Sequence, residues 1–155
     1  AHSSVWQVGS SPLPSDLGFE PTGSPQSRHD KVRIKLVFDF NKQVESTFQT
    51  TMVWLEDKYV SRISLQSEDR SAVEVEAAAR QIVFMLGLMQ SEQLDERLVE
   101  WSSHLNTHSA GYWPIWGVAE GRVGAVNVSV TISANVGRDD AFRLGIGLNW
   151  RRYAD

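Results

Sequence analysis

The chain has 155 residues, of which 41% are hydrophobic and 22% charged, with no cysteine and a formal net charge of −4. Its length suits one domain, and its apolar content with six tryptophans excludes a wholly disordered chain. Without cysteine there is no disulfide, thiol nucleophile or Cys-based metal site; no apolar run approaches the roughly 18 residues of a membrane span, and the acidic balance disfavours nucleic acid.

Residues 1–30 differ in composition from the rest of the chain. They hold four of the five prolines (Pro12, Pro14, Pro21 and Pro25), interleaved with serine and glycine and without periodicity. Scattered apolar residues such as Trp6 and Phe19 indicate that part of this segment packs down. We predict an irregular N-terminal arm that covers a sheet edge, followed by one domain over residues 31–155.

The opening of the chain bears on the compartment. Small residues such as those of Ala1–Ser4 remain after a signal peptidase has cut an exported precursor. A tag remnant or a truncated chain has the same appearance. Together with the absence of cysteine, this opening predicts a periplasmic or secreted protein whose signal peptide has been removed.

Three strands are predicted after the arm, at Lys31–Phe40, Ser46–Leu55 and Tyr59–Gln66. In the first, apolar and polar residues alternate with a period of two, as in a half-buried strand. In the second, the same alternation places Met52 and Trp54 on the apolar face. Short polar turns separate the strands, so they are expected to form an antiparallel meander.

The middle of the chain changes to helical periodicity. Apolar residues recur every three or four positions from Ala72 to Met89, after candidate capping residues at 67–71. A second apolar stripe runs from Leu94 to Leu105, behind a candidate N-cap at Ser91. The sequence therefore predicts two amphipathic helices.

Three more strands are predicted in the last third, at Tyr112–Ala119, Arg122–Ala134 and Phe142–Arg151, with a hairpin turn at Glu120-Gly121. The order βββ-αα-βββ lacks βαβ alternation. It predicts an α+β fold in which an antiparallel sheet of about six strands carries both helices on one face.

The opposite face of such a sheet is polar and basic at its margins. We predict that it binds a partner, through Arg33, Lys35, Asn127, Ser129, Arg143, Asn149 and Arg151, with Trp113 or Trp116 at the rim. Aromatic residues of this kind occur at interface hot spots and equally in cores. Gly145 and Gly147 on this face indicate either close approach of a backbone or ligand, or a strong bend of the strand.

Catalytic patterns are weak. His104 and His108 have a spacing that can seat zinc, with Glu100 one turn back, but two surface histidines near a helix end are the preferred interpretation. No GxSxG elbow, HExxH motif or nucleotide-binding loop is present. We predict no catalytic residue, cofactor or metal. A hydrolase, one alternative, requires His29 to meet His104 and His108 in a cleft.

The sequence thus predicts a non-enzymatic exported protein that binds another protein through a polar sheet face. The class expected is a bacterial periplasmic inhibitor, such as an immunity protein that neutralises a toxin. A second alternative is a module that holds a small apolar ligand between sheet and helices, in an enclosed pocket lined by Trp54, Trp101 and Trp150. Partner identity, strand order and oligomeric state do not follow from the sequence.

Overall fold

The computed structural model describes residues 2–107, 115–135 and 138–150. The described strands and α-helices, in chain order, are β1 (His2–Gln7), β2 (Gln26–Arg28), β3 (Val32–Asp39), β4 (Lys42–Phe48), β5 (Thr50–Glu56), β6 (Tyr59–Gln66), α1 (Ala72–Leu86), α2 (Ser91–Thr107), β7 (Ile115–Val123), β8 (Val126–Ala134) and β9 (Phe142–Trp150), with one 3-10 turn at Pro14–Leu17 between β1 and β2. The predicted α+β fold is confirmed. The start of the predicted strand at Tyr112 and the end of the last strand at Arg151 lie outside the described residues.

The strands form two sheets where the sequence predicted one. The large sheet has the order β2-β5-β6-β9-β8-β7 and is antiparallel, whereas the small sheet has the order β1-β3-β4 and includes a parallel pair, β1 with β3. The helix α1 contacts β4 of the small sheet and β8 and β9 of the large one, and α2 contacts β7. The small sheet, α1 and α2 thus make up a second layer, which shares one hydrophobic core with the large sheet.

The division into two sheets occurs at Gln49. The predicted second strand is interrupted there, because β4 ends at Phe48 and β5 begins in the other sheet. Phe48 is fully buried, and the next residue with a fully buried side chain is Val53, five positions later. In one uninterrupted strand, residues an odd number of positions apart would point to opposite faces. A phase change of one residue moves every later side chain to the opposite face. Met52 and Trp54, predicted to face the core, therefore lie on the other face of the large sheet.

The N-terminal arm is more regular than predicted. Its β1 extends the edge of the small sheet at β3, and its β2 extends the edge of the large sheet at β5. Trp6, Val8, Leu17 and Phe19 are buried in the common core. The arm therefore covers one edge of each sheet while adding side chains to the apolar interior.

The helix α1 is defined by its two ends. At its start, the Ser71 hydroxyl accepts a hydrogen bond from the Glu74 N–H, and the Glu74 carboxylate accepts one from the Ser71 N–H. The hydrogen bond from the Ser71 backbone is the main reason why the pKa of Glu74 is lowered. The helix ends at Gly87, whose φ of 63° is left-handed and favours glycine, so it stops before the predicted end at Met89.

The hairpin between β7 and β8 lies further along the chain than predicted. Its turn is at Gly124-Ala125, where Gly124 has a φ of 61°, and Glu120-Gly121 is inside β7. A register shift between Gly117 and Ala119 marks a bulge in this strand. The bulge places Val118 in the core beside Ala119, so simple alternation along β7 does not predict its faces.

Gly145 and Gly147 make room for side chains of the neighbouring strand. They pair with Thr131 and Ser129 of β8. A Cβ added at Gly145 would overlap with Thr131 Oγ1, and one at Gly147 would lie 2.5 Å from Ser129 Oγ. The close approach predicted from the glycines is therefore made within the sheet, by two hydroxyl side chains that lie over β9.

We expect Gly145→Ala to lower the free energy of unfolding by about 1–3 kcal/mol, since the added methyl group overpacks against Thr131. Thr131→Ala removes the overlapping atom, so the double variant should recover most of that loss. Urea unfolding followed by circular dichroism measures all four proteins. A loss that persists in the Thr131→Ala background would show that the glycine serves the bend of the strand instead.

Candidate functional site

The face of the large sheet that points away from the second layer is called the outer face here. The strand registers align its side chains in rows: Trp54, Arg62, Asn149, Asn127 and Arg122; then Met52, Ser64, Gly147, Ser129 and Glu120; then Thr50, Gln66, Gly145, Thr131 and Gly117. Intervening residues such as Val53, Ile63 and Leu148 are fully buried in the core. The alternation of the strands thus separates a polar face from an apolar one.

The outer face is wide enough for a protein interface. Six strands at about 4.8 Å spacing span about 24 Å, and a nine-residue strand is about 30 Å long. The projected area is on the order of 700 Å², close to the roughly 800 Å² that each partner buries in a standard complex. The glycines of β9 keep the centre of this surface low.

A stacked pair of side chains occupies one side of the outer face. The Arg62 guanidinium carbon lies 3.7 Å from the centre of the Trp54 ring, a cation–π contact. Within the described part of the chain, the Arg62 side chain has no hydrogen bond or ion pair, so its N–H donors are available to a ligand. Sequence reasoning missed this pair because it placed Trp54 inside; the inward alternation of Ile63 and Leu65 was the signal that Arg62 points outward.

Arg143 is held at the end of the outer face by a half-buried carboxylate. Asp69, 18% exposed, accepts hydrogen bonds from Arg143 Nε (3.0 Å), Arg138 Nη1 (2.7 Å) and Asn135 Nδ2 (2.8 Å). The hydrogen bond from Arg143 is the largest effect and, with the other donors, it outweighs partial burial and lowers the pKa of Asp69. These contacts tie the β8–β9 connection to the segment before α1.

Four of the predicted partner-binding residues share the outer face: Asn127, Ser129, Arg143 and Asn149. Arg33 and Lys35 do not, and their predicted place on this face is wrong. They belong to β3 of the small sheet, which is part of the second layer. Alternation identified which side chains leave the core, but it did not show that two different sheets carry them.

The predicted aromatic rim also differs. Trp116 pairs with Ile132, which is buried, so the Trp116 side chain is on the core side of β7 and not on the outer face. The Arg97 guanidinium carbon lies 5.4 Å from the centre of the Trp116 ring. Trp113 and Arg151 lie outside the described residues.

The three tryptophans of the predicted apolar pocket do not meet. Trp150 is buried and its indole N–H donates to the Val8 carbonyl (3.0 Å), while Trp101 packs edge-to-face on Phe142 with ring centres 5.5 Å apart. Trp54 is on the opposite side of the sheet. The prediction that these three residues line one enclosed pocket is therefore wrong.

No cluster of histidine side chains can be described in this structure. His29 is exposed beside the edge strand β2. The side chain of His104 and all of His108 lie outside the described part of the structure. Within residues 2–107, 115–135 and 138–150, no three His, Asp or Glu side chains are arranged to hold a metal ion. Neither of the described helices combines the length and hydropathy of a membrane span.

Comparisons of the chain with protein-family models, with curated proteins and with solved structures found no match. The surfaces of this chain are therefore what indicates its function. The outer face of the large sheet carries four of the seven predicted partner-binding residues that the structure describes.

Asp69→Asn should lower the free energy of unfolding at pH 7 by about 1–2 kcal/mol, because charge-assisted hydrogen bonds are lost while both arginine partners are partly exposed. The pKa of Asp69 is lowered in the folded protein. Its contribution to the free energy of unfolding is therefore present above the unfolded pKa of about 3.9 and is lost as the pH falls through the folded pKa. Urea unfolding at pH 7, 5 and 3 should show that the stability difference between the unsubstituted protein and Asp69→Asn shrinks as the pH falls. Asp139→Asn, at an exposed position of the β8–β9 connection, is the control; an equal difference at all three pH values would contradict this role.

Proposed function

We propose that this protein is a non-enzymatic binding protein whose outer face docks onto another protein. The observation that carries the proposal is the Arg62–Trp54 stack, which lies on a broad polar surface next to Asn149. Arginine and tryptophan are the residues most often found at binding hot spots. Stacking on the ring holds the guanidinium in place, so less side-chain entropy is lost when a partner binds.

The charge of the outer face supports a partner with an acidic patch. Arg62, Arg122 and Arg143 lie on this face together with the acids Glu56 and Glu120, and Glu96 and Glu100 of α2 line a cleft at its β7 side. Arg143 is paired with Asp69 and Arg122 donates to the Gly124 carbonyl, so the positive charge offered to a partner is that of Arg62. Opposite charges across an interface steer association and disfavour wrong partners. The overall negative charge argues against nucleic acid, because a phosphate backbone would be repelled by the rest of the molecule.

A binding role also agrees with the structural roles of the two carboxyl groups whose pKa values are shifted. The pKa values of Asp69 and Glu74 are lowered, and both groups are engaged in hydrogen bonds that hold loops and a helix start. Catalytic carboxyl groups more often have raised pKa values in a cleft. As part of the same proposal, we assign the protein to the class of exported bacterial inhibitors, including immunity proteins that neutralise toxins, since such proteins act by covering the functional surface of an enzyme.

Arg62→Glu should weaken binding about 30-fold or more, the effect of losing a hot spot worth about 2 kcal/mol, with little change in thermal stability. The partner is captured from a periplasmic extract of the native organism, identified by mass spectrometry, and titrated in a calorimeter. Lys58→Glu, the same charge change in the exposed β5–β6 turn, is the matched control and should bind like the unsubstituted protein. Arg143 is unsuitable for this test, because a glutamate there would face Asp69 and destabilise the fold.

Retained affinity in Arg62→Glu, or an equal loss in Lys58→Glu, would contradict the assignment of the outer face. A second variant, Trp54→Ala, separates charge from stacking. It removes the support of the guanidinium and should weaken binding while leaving the net charge unchanged.

A further inference from the structure

The outward side of α1 carries an exposed apolar row. Val73 and Phe84 are 76% and 78% exposed, and Ala77 lies between them and is also exposed. The three residues are four and seven positions apart, so they share one side of the helix over a length of about 16 Å. The opposite side of α1 is buried in the core through residues such as Val75 and Ile82. The helix therefore has a second apolar side that the core does not use.

The neighbours of α1 lie at its flanks and leave this row uncovered. On one flank the helix packs against β4. On the other, Arg80 forms ion pairs with Glu76 of the same helix and with Asp95 of α2. The second ion pair joins the two helices, so their outward sides belong to one surface. Apolar side chains gathered on an exposed surface mark interaction sites.

The helix α2 adds a row of carboxylates to this surface. Glu92, Glu96 and Glu100 recur every four residues, are exposed, and form no ion pair with any described residue. Like charges at this spacing repel each other and destabilise a helix. The row therefore weakens α2 in the protein alone, and a cationic partner would relieve the repulsion.

The net charge of the two helices is negative. Together they contain two arginines and six Asp or Glu residues, hence a net charge of −4. Both arginines are already engaged within the chain: Arg80 pairs with two carboxylates, and Arg97 donates to the Gly117 carbonyl. A second copy of this chain would bring the same negative charge to the interface. Charge complementarity therefore favours a cationic partner over self-association.

We propose that the outward side of the two helices binds a basic amphipathic helix of a partner protein. This surface is called the helical face, and it comprises Val73, Ala77, Phe84, Glu92, Glu96 and Glu100. A partner helix packs its apolar row against Val73 and Phe84, and the small Ala77 leaves space for a side chain between them. Lysine or arginine residues beside that row reach the carboxylates of α2.

The helical face is independent of the function proposed above. It belongs to the second layer and shares no residue with the outer face, which lies on the other side of the large sheet. The two surfaces also differ in charge, since the outer face offers Arg62 and the helical face offers carboxylates. They therefore select partners of opposite charge.

A model peptide tests this proposal. The probe is a capped, fluorescein-labelled peptide of 15 residues, the length of α1, with leucines at helical spacings of three and four and with lysine and alanine elsewhere. Fluorescence anisotropy at physiological salt should show saturable binding to the full chain. Amide NMR shifts on binding should be largest in α1 and α2. The absence of saturable binding would overturn the proposal.

Two control peptides separate the contribution of charge from that of the apolar row. A peptide of identical composition, with its leucines spread around the helix, should bind at least about tenfold more weakly than the probe. A peptide with glutamate in place of lysine should not bind. Equal binding of the rearranged peptide would mean attraction by charge alone, and would overturn the proposal.

Two phenylalanine variants form a matched pair. Phe84 is on the helical face, whereas Phe40 is 85% exposed in the turn between β3 and β4. Phe84→Ala should weaken binding of the probe about tenfold, and Phe40→Ala should leave it within about twofold. Circular dichroism checks that both variants fold. Equal affinity of the two variants would overturn the assignment of the helical face.

A second pair tests the carboxylate row. Glu96→Lys should weaken binding of the probe about tenfold, while Glu20→Lys, the same charge change at an exposed position of the N-terminal arm, should leave it within about twofold. An equal effect of the two changes would contradict the role of the row. Arg62→Glu, on the outer face, should also leave the peptide affinity within about twofold, so failure of one proposal is distinguishable from failure of the other.

Sedimentation velocity tests another occupant of the helical face. We expect the unsubstituted protein to be monomeric through this surface, because two copies would oppose like charges. A dimer that Phe84→Ala converts to monomer, while Phe40→Ala does not, would mean that a second copy covers the helical face. That result would overturn the proposal.

Discussion

The apolar layer between the large sheet and the second layer is the constraint on which the rest of the structure depends. Every strand of the large sheet from β5 to β9 contributes fully buried side chains to it, and so do α1 and β3. Because a strand directs successive side chains to opposite faces, burying the apolar set leaves the alternate residues of each strand outside the core. Those alternate residues are mostly polar in β8 and β9, which gives the outer face its polar character.

The details of the outer face come from contacts across strands. Gly145 and Gly147 lower the surface of β9, since Thr131 and Ser129 occupy the space above them. Trp54 and Arg62 meet because they are paired residues on β5 and β6. The result is a surface with a low polar centre and a prominent aromatic–cationic pair at one side, which is the arrangement expected of a docking face with one anchor.

The composition of the second layer gives the protein its other notable surface. The helix α1 packs beside β4, the last strand of the small sheet, and so covers that edge without backbone hydrogen bonds between the two among the described residues. The N-terminal arm supplies β2, which extends the large sheet beyond β5. The arm therefore protects one edge of each sheet, while the outward side of α1 and α2 remains exposed.

The sequence by itself determined the local structure: alternation located most strands, apolar periodicity with capping residues located both helices, and the polar residues of β8 and β9 were placed together on one face. Only the tertiary structure decided which sheet each strand joins, and hence that Arg33 and Lys35 lie apart from Asn127 and Asn149. Periodicity is a property of neighbouring residues, whereas strand pairing is made between residues far apart in the chain. A single change of phase at Gln49 was enough to move Trp54 from the predicted core to the outer face.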